Sequence, residues 1–116
     1  MKYTGSCHCQ KVRFEFESEE IQGWMMCNCS ICQRRGHILH MIPASFFHLI
    51  SWEGNLTEYR FNTKNIAHLF CKTCWVQAFW KGPMPDWTEM IAINLNCVDG
   101  IDYEKLSIHK YDGKSL

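Results

Sequence analysis

The sequence predicts a mainly β fold built from small antiparallel sheets. Apolar and polar residues alternate through several short segments, the signature of strands with one buried face. No segment carries the longer period of an amphipathic helix. Turn-forming residues such as Gly82-Pro83 and Asp112-Gly113 interrupt the chain often. The 116 residues fit one small domain, expected to span 1–116, whose core is modest and would gain from a crosslink.

The clearest strand covers residues 11–17, with Val12, Phe14 and Phe16 facing inward. Residues 37–42 are apolar enough for a second strand, stopped by Pro43. Residues 44–49 are expected to form one short helical turn, with Pro43 near its start. Alternation returns at 56–61 and at 66–70, the latter leading straight into Cys71. Residues 76–80 and 90–95 are further strands, with a loop at 82–86 between them. A last short strand is expected at 106–111. There is no internal boundary, low-complexity tract or clear repeat.

Twelve Lys and Arg balance twelve Asp and Glu, so the net charge is zero. That disfavours nucleic acid and membrane surfaces as partners, because both select excess positive charge. Gln33-Arg34-Arg35 is too short for a basic tract and is expected to be an exposed turn. No apolar run is long enough to span a bilayer. The first residues lack the apolar core of a signal peptide, so the expected location is the cytoplasm, where thiols stay reduced.

Seven of the eight cysteines fall in three tight clusters: Cys7 and Cys9; Cys27, Cys29 and Cys32; Cys71 and Cys74. Bridges within Cys7–Cys9 or Cys27–Cys29 would be strained, and a reducing compartment disfavours longer ones. Metal ligation suits the pattern better, since short spacings aim several soft thiolates at one ion. Zinc is favoured because no redox partner is implied, with an iron–sulfur cluster as the competitor.

Two pairings are open. Cys7, Cys9, Cys71 and Cys74 can close one site, leaving Cys27, Cys29 and Cys32 around a second ion. Alternatively Cys29 and Cys32 can join Cys71 and Cys74 in a zinc ribbon. The gap between the latter two pairs exceeds the usual ribbon spacing of roughly 15–20 residues, so spacing leans toward the first.

As a set, these residues resemble a known family. Thr4-Gly5-Ser6-Cys7-His8-Cys9, Val12-Arg13-Phe14-Glu15, Cys27-Asn28-Cys29-Ser30-Ile31-Cys32 and Phe70-Cys71-Lys72-Thr73-Cys74 are similar to motifs of the glutathione-dependent formaldehyde-activating enzymes. Pro43-Ala44-Ser45, Tyr59-Arg60-Phe61-Asn62-Thr63 and His68-Leu69-Phe70-Cys71 resemble the branch that contains centromere protein V. The match runs in consistent order from about Thr4 to Asp99.

The resemblance implies an Mss4-like β-tent of small antiparallel sheets with zinc-binding loops. It implies two zinc ions per chain: a structural one on Cys7, Cys9, Cys71 and Cys74, and a catalytic one on Cys27, Cys29 and Cys32. The implied activity is that of a carbon–sulfur lyase working in the synthetic direction, joining formaldehyde to glutathione as S-hydroxymethylglutathione. Its partners would be a glutathione-type thiol and an aldehyde.

The sequence departs from the family pattern in three places. Gln10 and Trp75 stand where glycine usually follows each cysteine pair, and glycine reaches positive φ without strain. The loop at residues 80–85 lacks an arginine common in the resembling branch.

Three thiolates leave a fourth position open on zinc, where a thiol can bind as thiolate or an aldehyde oxygen be polarised. The negative charge of three thiolates lowers Lewis acidity and favours thiol capture. The competing expectation is a non-catalytic zinc-binding interaction module of the same fold, because this fold also hosts non-enzymes. A thiol-based redox sensor at the Cys27 cluster is a third. His37 and His40 could reach the Cys32 loop, although histidines on a strand more often meet local partners. His8 is expected to face away from the metal, and His68 to support Cys71 from behind. Cys97 reads as a buried apolar thiol outside both sites. Most of the five tryptophans are expected in the core, with one or two walling a pocket.

Overall fold

The computed structural model describes residues 1–28, 30–35, 38–60, 66–83, 88–101 and 106–111. Ten strands are arranged in two sheets. In the smaller sheet, β1 (Lys2–Ser6), β2 (Arg13–Glu17) and β5 (Phe47–Ser51) lie in that order, all antiparallel. The larger sheet runs from β10 (Ser107–Tyr111) through β3 (Gly23–Cys27), β4 (Leu39–Pro43), β9 (Glu89–Asn94), β8 (Phe79–Pro83) and β7 (Ala67–Cys71) to β6 (Leu56–Tyr59). Every pair is antiparallel except β10 with β3, which is parallel.

Alternating side chains on β8 and β9 serve two different cores. Phe79, Ile91 and Ile93 face the smaller sheet, where Phe14 and Phe16 of β2 are fully buried. The Phe47 ring from β5 lies 4.7 Å from that of Phe79 and 5.4 Å from that of Phe14. Trp80 and Ala92 face the other way, onto Leu39, Met41, Met25 and Cys32. A strand buried on both faces needs no polar positions. That is why residues 90–93 read as one apolar run, whereas β2 alternates.

The joint between the sheets depends on a glycine. β1 meets the chain after β9 through a bridge between Gly5 and Val98. A Cβ on Gly5 would sit 2.5 Å from the Cys97 carbonyl oxygen and 2.5 Å from the Phe14 ring. Thr4 Oγ1 donates to Asp99 Oδ2 at 3.0 Å and Asp99 N to the Thr4 carbonyl at 2.9 Å, closing the same seam.

Several local expectations shift. Residues 44–46 form a 3₁₀ turn, but Phe47 onward is strand, with Phe47 and Leu49 turned inward and His48 and Ile50 exposed. Val76–Ala78 do not join the ladder, because they turn back on other partners. Cys71 N donates to the Val76 carbonyl at 3.1 Å and Asn94 N to the Ala78 carbonyl at 2.9 Å. The expected turn at Gln33-Arg34-Arg35 is the end of a helix, α1 (Ser30–Arg35). β1 and β3 lack the alternation that would have announced them; Gly23-Trp24-Met25-Met26-Cys27 has no polar position to mark its outer face. His37, Phe61, Trp87 and Asp112-Gly113 lie outside the described residues. Of the other tryptophans, Trp80 is buried and Trp24 half-buried, while Trp52 and Trp75 are exposed. No helix among the described residues is long and apolar enough to cross a membrane.

Phe14 makes ring contacts with Phe16, Phe47 and Phe79, bridging the sheets. Phe14→Ala is expected to lower unfolding free energy by about 3–5 kcal/mol, read as a lower denaturant midpoint at unchanged slope.

Candidate metal centre

Two turns of the same pattern carry four of the cysteines. In the first, Cys7 leaves β1, its N–H donates to the Val12 carbonyl at 3.0 Å, and Gln10 N returns to the Cys7 carbonyl at 3.2 Å. In the second, Cys71 ends β7, its N–H donates to the Val76 carbonyl at 3.1 Å, and Trp75 N returns to the Cys71 carbonyl at 2.9 Å. Each first sulfur also accepts a backbone N–H, from Val12 at 3.4 Å and from Thr73 at 3.3 Å.

Closing such a turn drives the residue after the second cysteine into the left-handed region. Gln10 has φ 68° and Trp75 φ 63°, the only positive φ values outside glycine among the described residues. These are the two positions where the sequence lacks the expected glycine. Such a conformation costs a non-glycine residue about 1–2 kcal/mol. Gln10 recovers a little through Oε1, which accepts from Arg13 Nη1 at 3.2 Å.

The turns aim Cys7, Cys9, Cys71 and Cys74 at one point, with all four sulfurs within 4.8 Å of one another. Cys7 to Cys9 and Cys9 to Cys71 are each 3.6 Å between sulfurs. A tetrahedral zinc with bonds of about 2.3 Å separates its sulfurs by about 3.8 Å, so the four present donors fit such an ion. Cys7 and Cys71 are buried, Cys9 and Cys74 half-buried, and none of the four forms a disulfide.

The protonation of this group is in conflict with itself. Burial pushes the Cys7 thiol up to about 12, against the Val12 N–H and with help from the other three sulfurs. At Cys74 burial also opposes ionisation, but the backbone N–H groups of Cys9 and Val76 and the sulfurs of Cys7 and Cys71 outweigh it and hold the thiol at about 6. Cys71 moves down for similar reasons, against its own burial. Ionisation is therefore favoured at Cys74 and Cys71 and opposed at Cys7. A divalent cation removes the conflict, because it stabilises every sulfur in the charged form.

The remaining candidates are placed unevenly. Cys29 and the side chain of Cys27 lie outside the described residues, although the Cys27 backbone ends β3. Cys32 lies on α1, buried against Leu39, Trp80 and Ala92. Cys97 is half-buried; burial and the charge of nearby Cys74 raise its thiol to about 11, which suits an apolar role. His8 is exposed. His40 Nε2 meets Ser18 Oγ at 2.8 Å, a local partner, and burial lowers its pKa. His68 is buried, with its ring 6.0 Å from that of Trp80.

Sequence reasoning missed Arg35 and Gln77. Arg35 stands three residues after Cys32, so on a helix the two share a face. Its guanidinium lies 4.6 Å from the Phe70 ring centre, and Nη1 donates to Gln77 Oε1. Gln77 follows Cys74 by three residues and is buried. Spacing from the nearest cysteine was the available signal for both.

Comparison with known proteins adds two findings. A family model described as glutathione-dependent formaldehyde-activating enzyme matches residues 2–112. The chain is also similar to the crystal structure of a Rhodobacter sphaeroides protein that was a structural-genomics target. The two share 27% identity at a TM-score of 0.77, over 91% of this chain and 99% of that one.

Two substitutions probe the turns. Cys74→Ala is expected to abolish metal binding and leave a chain that unfolds without a cooperative transition, followed by metal analysis and thermal melting. Trp75→Gly should raise stability by about 0.5–1 kcal/mol, because the strain relieved exceeds the added chain entropy. The side chain is 65% exposed, so little packing is lost with it; a higher melting temperature checks this.

Proposed function

The chain belongs to the glutathione-dependent formaldehyde-activating enzyme family, and we propose that it is a zinc-dependent carbon–sulfur lyase adding a glutathione-type thiol to formaldehyde or a related aldehyde. The observation that carries this reading is the division of the cysteines. Cys71 and Cys74 converge with Cys7 and Cys9, so they are not available to Cys29 and Cys32. On this reading the quartet holds a structural zinc, and Cys27, Cys29 and Cys32 hold a second, catalytic zinc with one position open. The motifs at Pro43-Ala44-Ser45 and Tyr59-Arg60-Phe61-Asn62-Thr63 support assignment to the centromere protein V-like branch. A single domain over residues 1–116, working in the reducing cytoplasm, completes the proposal.

Cys27, Cys29 and Cys32 would hold the zinc, which when bound would lower the pKa of a thiol and supply it as thiolate near neutral pH. The thiol gives up its proton, its sulfur bonds to the aldehyde carbon, and the carbonyl π pair moves to oxygen. That oxygen takes a proton, leaving a hydroxymethyl thioether. The chain excludes water from one side of this reaction by burying Cys32 among Leu39, Trp80, Ala92 and Met41.

Metal analysis with turnover tests the proposal. Wild type is expected to hold two zinc ions per chain and to accelerate S-hydroxymethylglutathione formation. Cys32→Ala should keep one zinc and its fold while losing the acceleration. One zinc in wild type, or full turnover in Cys32→Ala, would refute the two-site reading and favour an interaction module.

A further inference from the structure

Arg35 is a half-buried cation without a carboxylate partner among the described residues. Its described contacts are a neutral amide and an aromatic face. Burying a guanidinium in this way is unfavourable unless a negative group completes it. Burial does lower its pKa, against the negative fields of Cys32 and Tyr59. Arg34, its neighbour, is exposed and bonds back to the Ser30 carbonyl of its own helix at 3.0 Å, so it offers no comparable group.

The surroundings of Arg35 fix its orientation. Gln77 Oε1 accepts from Arg35 Nη1, which leaves Gln77 Nε2 facing His68 Nδ1 at 3.4 Å. Gln77 therefore donates to that nitrogen and sets the His68 proton on Nε2. The Gln77 backbone is held in turn, since Asn94 Nδ2 donates to its carbonyl at 3.0 Å. Phe70 on β7 lies under the guanidinium, 4.6 Å from its central carbon to the ring centre. The His68 ring packs on Trp80, and Trp80 packs on Cys32, which closes the circuit back to the helix. A guanidinium has five N–H donors in a rigid fork, and Gln77 takes one. A fork fixed by Gln77 and Phe70 on the helix that carries Cys32, with donors to spare, matches a planar carboxylate.

We propose that Arg35 is the anion anchor of the Cys32 site: held by Gln77 and Phe70, it receives a carboxylate of the thiol substrate. This rests on the lyase reading for the identity of the thiol. It narrows the substrate to thiols that carry a carboxylate, glutathione among them. It also supplies from α1 a guanidinium, which residues 80–85 lack. Arg35 touches substrate but forms and breaks no bond, and Gln77 acts only by positioning it.

The test uses the full zinc-loaded chain. S-methylglutathione and its diethyl ester have no thiol for a metal to capture, so their binding reads the anchor alone. Both are titrated by calorimetry into wild type, Arg35→Gln and Arg35→Lys, with zinc content measured for each. Wild type is expected to prefer the acid over the ester by roughly tenfold or more, the size of one charge-assisted pair. Arg35→Gln should lose that preference at unchanged zinc content, and Arg35→Lys should restore part of it. The same preference in wild type and Arg35→Gln, or no binding of either ligand to wild type, overturns the anchor. Zinc lost in Arg35→Gln and regained in Arg35→Lys also overturns it, by assigning the charge to the metal centre. Turnover of glutathione and its diethyl ester with formaldehyde separates the two proposals. Equal KM for both thiols sinks the anchor and leaves the lyase standing. An Arg35-dependent acid preference with no turnover of either thiol supports the anchor while the lyase reading falls.

Discussion

Four sulfurs drawn from two turns far apart in the chain meet within 4.8 Å, and much else follows from that meeting. Cys7 and Cys9 lie between β1 and β2 of the smaller sheet, while Cys71 ends β7 of the larger one. The quartet is thus a clasp between sheets. Bare, it sets one thiol near 12 against another near 6, and neither burial nor backbone donors can satisfy all four at once. A structural zinc in such a site is worth about 10–16 kcal/mol in apparent terms, as much as the whole net stability of a small domain. Against that sum, the strain at Gln10 and Trp75 is small. That difference in magnitude explains how two large side chains persist where glycine would fit without strain.

The clasp also sets the phase of what comes after it. The second turn bends the chain so that Val76 and Ala78 accept hydrogen bonds from the last residues of β7 and β9, Cys71 and Asn94, and β8 starts at Phe79. That start point decides which way β8 presents its side chains. Phe79 goes to the aromatic core shared with Phe14 and Phe47, and Trp80 goes to the opposite face. A shift of one residue would exchange them, since successive strand side chains point to opposite faces. It also delivers Gln77 to a buried position facing Arg35 and His68.

Helix α1 has six residues, too few to be stable on its own. Packing of Cys32 beneath it and the Arg35 contacts at its end hold it against the sheet. The proposed reaction and the proposed anchor therefore share one support: a short helix pinned by the sheet that the clasp has put in register. Arg35, Gln77 and His68 connect this helix to residues flanking Cys71 and Cys74. The region expected to do chemistry is braced by the region expected to hold the fold.

The sequence by itself determined the fold class, several of the strands and the grouping of the cysteines. β2 was legible because one face of the strand is buried and the other is not, which writes a period of two into the residues. The cysteine turns were legible because ligands on one ion must be close in sequence when they share a turn. Even the strain at Gln10 and Trp75 was visible, as glycines missing where a turn needs positive φ. What only the tertiary structure decided depends on contacts between distant residues. Gly23-Trp24-Met25-Met26-Cys27 gave no strand signal, because it lacks alternation. The turn expected at Gln33-Arg34-Arg35 became a helix end, because Arg35 found Phe70 and Gln77 across the fold. Gln77 was marked only by its spacing from Cys74; its role comes from where the clasp places it. Local periodicity records which face of a segment meets water. It does not record which distant side chain meets it on the other face, and the candidate site is made of those meetings.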